Sequence, residues 1–182
     1  MRLPWLHSRR TLNWSRLTDL RTRSSAFIST AGGAGLFPWG PGTMGTLVGI
    51  PIAYGLSGMS WPLRLLFWGA VTLLGSWAAT VFDRLMDTKD NQNIVIDEVI
   101  GYGISAWSVG TDPKSIMTAF LLFRLFDILK LPPVRQVDRW SRNKAGKAGS
   151  WWNGFGVIAD DILAGLQALA VILVLQSMHW LS

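Results

Sequence analysis

The sequence predicts an all-α fold, a single helical membrane-embedded domain of about five helices plus an interfacial N-terminal segment. Three observations lead there. Of 182 residues, 49% are hydrophobic and only 15% charged, against about 25% charged in soluble domains. Apolar runs alternate with short polar turns, and Leu63 to Phe82 is long enough to cross a hydrocarbon core, which takes about 20 residues. Eleven tryptophans suit the headgroup layer, where the indole ring finds both apolar and polar surroundings. The length fits one domain with a sizeable core. It divides into a basic N-terminal arm, 1–24, and a helical membrane domain, 25–182.

The elements follow from the pattern of breaks. Residues 1–24 are too rich in arginine for the apolar core of a cleavable signal peptide. Leu3, Leu6, Leu12, Leu17 and Leu20 give them a loose apolar stripe, as in basic stretches that lie on membranes. Residues 25–42 are apolar but interrupted by glycines and by Pro38 and Pro41, which suits an interfacial or re-entrant piece. Thr43 to Gly58 is a short apolar helix, and Met59 to Pro62 a turn. Leu63 to Phe82 is the second helix, followed by a polar loop from Asp83 to Asn93. Ile94 to Gly110 and Ser115 to Lys130 are the third and fourth helices, joined by Thr111-Asp112-Pro113. A basic, glycine-rich loop then reaches Gly154, and Val157 to Met178 closes the bundle.

If all five helices cross and the N-terminus is cytoplasmic, fourteen of the seventeen Lys and Arg residues fall on the cytoplasmic side. They are Arg2 to Arg23, Arg84, Lys89, and Lys130 to Lys147, while Arg64 and Lys114 lie opposite. That asymmetry matches the positive-inside rule. The first, third and fourth helices are shorter than a comfortable span, so that some of them would only dip into the bilayer. Basic arms also bind nucleic acid, but apolar segments follow here. Anionic lipid headgroups at the arm and the 135–147 loop are therefore the expected partners, with no nucleic acid. An oligomer is compatible with this reading. The chain has no cysteine, which removes disulfides, zinc–thiolate sites and cysteine nucleophiles.

The acids carry the chemistry. Asp97-Glu98 and Asp160-Asp161 each open an apolar stretch, and Asp127 lies between them. Carboxylates beside hydrocarbon are costly unless paired. The same topology sets all five at the cytoplasmic face, which calls for a shared hard cation, Mg²⁺ in character. Capping of helix N-termini is the simpler account of a single doublet, and two doublets with Asp127 exceed it. Gly101 lies four residues past Asp97, and Ala164 and Gly165 four past Asp160 and Asp161. Each small residue thus shares a helix face with its acid, and close helix approach there would bring the carboxylates together.

Arg124, Asp127 and Lys130 step by three along the fourth helix, and the two cations suit phosphate oxygens. Gly40-Pro41-Gly42-Thr43-Met44-Gly45-Thr46 sets two hydroxyls, Thr43 and Thr46, at a helix N-terminus where an anion could bind. The two histidines, His7 and His179, sit in terminal segments on opposite predicted sides, which disfavours phosphohistidine chemistry. No Asp-x-Asp nucleophile pattern occurs. Metal-assisted attack by water remains.

Four segments, Pro41 to Thr46, Ile96-Asp97-Glu98-Val99-Ile100-Gly101, Phe123 to Lys130 and Asp160 to Gly165, resemble the phosphatidylglycerophosphatase A family and occur in that family's order. The resemblance implies an all-helical, multi-pass enzyme of the bacterial cytoplasmic (inner) membrane, its active site facing the cytoplasm. It implies Mg²⁺-dependent removal of the terminal phosphate of phosphatidylglycerophosphate to give phosphatidylglycerol. Asp97, Glu98, Asp127, Asp160 and Asp161 would then be metal or catalytic acids, with Arg124 and Lys130 contacting the phosphate. One acid, Glu98 among the candidates, would act as base. The sequence departs from the family pattern at Lys130-Leu131-Pro132-Pro133, where a proline usually follows the lysine directly, and in a longer loop carrying Trp151-Trp152.

Three rivals remain at this stage. A phosphatase of another lipid phosphate would use the same residues. A phosphotransferase acting on a nucleotide-linked lipid would need an Asp-Gly-x-x-Ala-Arg pattern, which is absent. A cation transporter would need acids near the bilayer midplane, whereas these gather at one face.

Overall fold

The computed structural model describes residues 14–137, 139 and 150–181, which are all-helical with no strand among them. Six α-helices run in the order α1 (Leu20–Ser29), α2 (Pro41–Leu56), α3 (Trp61–Met86), α4 (Ile96–Ser105), α5 (Pro113–Leu129) and α6 (Trp151–Ser177). A helical turn at 134–137 stands between the last two.

Within the N-terminal segment, α1 straddles the boundary drawn at residue 24. Asp19 starts it through a capping box: its carboxylate accepts the Thr22 hydroxyl at 2.6 Å and the Thr22 N–H at 2.8 Å. Those two bonds hold the Asp19 carboxyl below its ordinary range. Arg16 donates to the Leu85 carbonyl at 2.5 Å, tying the segment to the end of α3. Arg2, Arg9, Arg10, Arg142, Lys144 and Lys147, expected to meet lipid headgroups, lie outside the described residues.

Two helices have the length and composition of membrane spans, Trp61–Met86 and, within α6, Gly154–Ser177. Both turn large apolar side chains outward, Leu65, Leu66, Leu73 and Leu74 on α3 and Leu173 and Val174 on α6. The third predicted helix, expected to fall short of a comfortable span, is α4 and is shorter still. Its 10 residues reach only about 15 Å, and Val99, Ile100 and Tyr102 on it are 2% exposed or less. It is a short internal helix packed against α2, α3, α5 and α6. The 16 residues of α2 and 17 of α5 also fall short of the roughly 20 needed to span.

The core divides along α4. Phe82, Ile96, Val99, Ile100 and Ile158 fill one side, and Tyr102, Ala119, Phe123, Ala164, Ala168 and Ile172 the other. At one end of the bundle, Arg64 donates to the Trp107 carbonyl at 2.7 Å and stacks 5.2 Å over the Trp107 ring. Lys114 there donates to the Trp180 carbonyl at 2.7 Å. The other end gathers the start of α2, the start of α4, the end of α5 and the early turns of α6, and the acids lie there.

Candidate functional site

A cavity of about 370 Å³ opens at that end, lined by all five predicted acids together with Arg124 and Lys130. Close packing of glycines makes the assembly possible. A Cβ on Gly165 would strike the carbonyl oxygen of Gly101, and one on Gly101 would strike the Phe123 ring and come 2.8 Å from the Asp161 carbonyl. The expected close approach beside each doublet is therefore observed, with α4 and α6 meeting backbone to backbone. Gly42 does the same for α2, since a Cβ there would collide with Glu98 Oε1 and lie 3.1 Å from an Arg124 nitrogen.

The acids sort into two groups. Carboxylate oxygens of Asp97, Glu98 and Asp161 lie within 4.8 Å of one another, close enough for one ion to touch all three. Asp127 and Asp160 instead meet cations: Arg124 donates to Asp127 at 2.6 Å, and Lys130 to Asp160 at 2.6 Å. The Arg124-Asp127-Lys130 ladder thus breaks at its last step. Lys130 is the left-handed cap of α5 at φ 44°, past the helix end, and reaches across to α6.

Asp160 and Asp161 do not open their helix, as the sequence suggested. α6 starts at Trp151, so both sit in its third turn, too far in to cap it. Helix capping is thereby removed as an explanation for that doublet. Asp97 and Glu98 do occupy the first turn of α4, where the exposed N–H groups favour negative charge.

Asp97 is 9% exposed and Asp161 5%. Asp97 Oδ1, Glu98 Oε2 and Asp161 Oδ2 are buried without a hydrogen-bond partner among the described residues. Burial, then the charge of Glu98 and of Asp161, pushes the Asp97 carboxyl well above the ordinary range. Burial also raises Glu98, the hydrogen bond to Asp97 opposing it. Three oxygen donors converging with unmet hydrogen-bonding capacity could together hold a hard divalent cation, which takes oxygen ligands.

The two threonines fare differently. Neither Thr43 nor Thr46 lines the cavity, and Thr46 is fully buried with its hydroxyl bonded to the Gly42 carbonyl at 2.9 Å. In their place Gly40, Pro41 and Gly42 form that wall. Sequence reasoning missed Asp90, Asn91 and Gln92, which form another wall. The only available signal was the closeness of this polar loop to Asp97.

Relatives sharpen the picture. The family model described as Phosphatidylglycerophosphatase A matches residues 27–176. A Phosphatidylglycerophosphatase A of Escherichia coli K12 is 34% identical over 149 residues, 81% of this chain and 80% of that protein. One of Haemophilus influenzae is 33% identical, covering 82% and 85%. A Bacteroides thetaiotaomicron protein provisionally named a phosphatidylinositol-3-phosphatase is 31% identical, covering 81% and 90%. No solved structure matches. The family match takes in every residue of the cavity wall, and the chain belongs to the phosphatidylglycerophosphatase A family.

Proposed function

We propose that this protein hydrolyses the terminal phosphomonoester of phosphatidylglycerophosphate, giving phosphatidylglycerol and inorganic phosphate, at the cytoplasmic face of a bacterial inner membrane. The observation that carries the reading is the convergence of Asp97, Glu98 and Asp161 within 4.8 Å, in one cavity with Arg124 and Lys130. A ring of carboxylates alone would repel a phosphate dianion, so the two cations argue for an anionic substrate.

Asp97, Glu98 and Asp161 would hold Mg²⁺. When bound, the ion supplies charge neutralisation and a polarised water next to the phosphate. Arg124 carries five N–H donors in a fixed fork. Asp127 takes one hydrogen bond from its Nη1 and so orients the rest toward phosphate oxygens. Lys130, anchored on Asp160, faces the same cavity. The attacking water forms a new bond to phosphorus and gives up a proton to a carboxylate of the site, the bond from phosphorus to the glycerol oxygen breaks, and that oxygen takes up the proton, so that the alcohol and inorganic phosphate leave. The acyl chains would lie along the apolar outer faces of α3 and α6, beside the open end of the cavity. Basic residues of the arm and the loop before α6 would raise the local density of anionic lipid.

Purified protein in detergent should release phosphate from phosphatidylglycerophosphate, with release stopping in EDTA and returning with Mg²⁺. Phosphatidate and phosphatidylinositol 3-phosphate run in parallel test the relative that carries a different name. Faster release from either would reassign the substrate while keeping the site. Arg124→Lys should lower kcat/KM by about 10- to 100-fold, because a point charge replaces a bidentate fork in a pair worth roughly 1.5–3 kcal/mol. Kinetics of the purified variant check this, and an unchanged kcat/KM would remove Arg124 from phosphate binding.

A further inference from the structure

The loop between α3 and α4 is built around a buried acid that the proposed reaction does not use. Asp83, fully buried in the last turn of α3, accepts the Thr88 hydroxyl at 2.8 Å, the Asp90 N–H at 2.9 Å and the Asn91 N–H at 3.1 Å. Buried Asn91 continues the strap, its Oδ1 accepting the Asn93 N–H at 3.0 Å. Three hydrogen bonds converging on one buried carboxyl fix the path of the loop. Their effect is to hold Asp90 at φ 59°, a left-handed conformation that a residue with a Cβ rarely adopts. In that conformation the exposed Asp90 lines the cavity together with Asp97.

We propose that Asp90 is a sixth acid of the site, standing outside the Asp97–Glu98–Asp161 group and holding the water shell of the divalent cation, and that Asp83 is the positioning residue that puts it there. This rests on the proposed metal site. Asp127 and Asp160 are engaged by Arg124 and Lys130, and the remaining three acids face one another. Among the described residues, Asp90 is thus the acid of the cavity wall whose carboxylate is committed to neither group. Outer partners of this kind tune metal affinity by about 10- to 100-fold.

The test uses Mn²⁺ alone as probe, read by electron paramagnetic resonance on the full chain in detergent, alongside phosphate-release kinetics. Asp90→Asn should weaken Mn²⁺ binding by about tenfold and lower kcat by a similar factor, with KM for the lipid nearly unchanged. Asp90→Glu should recover most of the Mn²⁺ affinity. Asp83→Asn should reproduce the Asp90→Asn pattern, and Thr88→Val, which removes one strap, should do so more mildly if Asp83→Asn does not fold. Mn²⁺ affinity in Asp90→Asn within about twofold of wild type would overturn the assignment. A lowered melting temperature with unchanged Mn²⁺ affinity in both loop variants would reduce the strap to a structural role and overturn it equally. If the wild type binds Mn²⁺ but releases no phosphate from any lipid tested, the substrate reading fails, and the Mn²⁺ data still decide Asp90.

Discussion

Asp97→Asn should abolish phosphate release to within about a thousandth of the wild-type rate and at the same time raise the melting temperature of the protein in EDTA. The two effects share one cause. Asp97 is buried against Glu98 and Asp161 in the place where a cation would compensate all three. Without the cation, the folded chain must either keep a proton on Asp97 or bury its charge among like charges. The folded-state pKa of Asp97 is raised, so the native protein binds a proton that the unfolded chain releases near the ordinary carboxylate value. Stability in EDTA is therefore fully present below that value and is lost as pH rises through the folded-state pKa. An asparagine has no charge to bury. The gain in melting temperature should be a few degrees at pH 8, since each kcal/mol moves a chain of this size by about 2–4 °C, and it should shrink as pH falls toward about 4. With Mg²⁺ present the order should reverse, because the wild type gains binding energy that the variant lacks. Thermal melts in EDTA and in Mg²⁺ at two pH values check all of this. A variant less stable than wild type in EDTA at pH 8 would mean that Asp97 is satisfied by the fold itself and is not a metal ligand.

That the acids would converge was legible because charge in an apolar chain has few innocent explanations, and the five do line one cavity. The glycine spacing after each doublet also carried over, since a face shared by Asp97 and Gly101 is a property of any α-helix. What escaped were features decided by contacts between segments. Gly154 and Gly156 made the start of α6 look like loop, yet a Cβ on Gly154 would sit 2.5 Å from the Ser76 carbonyl and 2.8 Å from the Thr80 nitrogen. That glycine is a packing position between α6 and α3, and the helix runs straight through it. Asp83 looked like the first residue of a polar loop, because nothing local shows that its carboxylate turns inward to bind Asp90 and Asn91. Thr46 looked like an anion contact, but a buried threonine in a helix readily returns its hydroxyl to the carbonyl four residues back, and here that carbonyl is Gly42. The shortness of α4 was legible in the sequence, but its burial on every side was not, because its apolar residues read alike whether lipid or protein surrounds them.

Gly165→Val should disable the enzyme without touching a single polar group of the site. The Cβ position at Gly165 collides with the Gly101 carbonyl oxygen and lies 3.2 Å from the Ile104 Cβ. The first obstacle is backbone, which no rotamer change can relieve, so α6 must move away from α4. Asp161 rides on α6, whereas Asp97 and Glu98 ride on α4. Separating the helices by even about 1 Å loosens a three-carboxylate set that a divalent cation must reach at about 2.0–2.1 Å. Overpacking of this kind costs about 1–3 kcal/mol, enough to lower the melting temperature by several degrees yet leave a folded protein. The rate should fall by about 100-fold or more, since misplacement on that scale costs about that much. Gly165→Ala should fall between the two. Gly69→Ala, on α3 where a Cβ meets nothing within 4 Å, serves as the control and should behave as wild type. Mn²⁺ affinity measured across the three variants separates the proposed cause from general destabilisation. It should drop in step with the rate for Gly165→Ala and Gly165→Val and stay constant for Gly69→Ala. A Gly165→Val protein that melts lower but binds Mn²⁺ normally would show that the α4–α6 contact supports the fold and not the ion site.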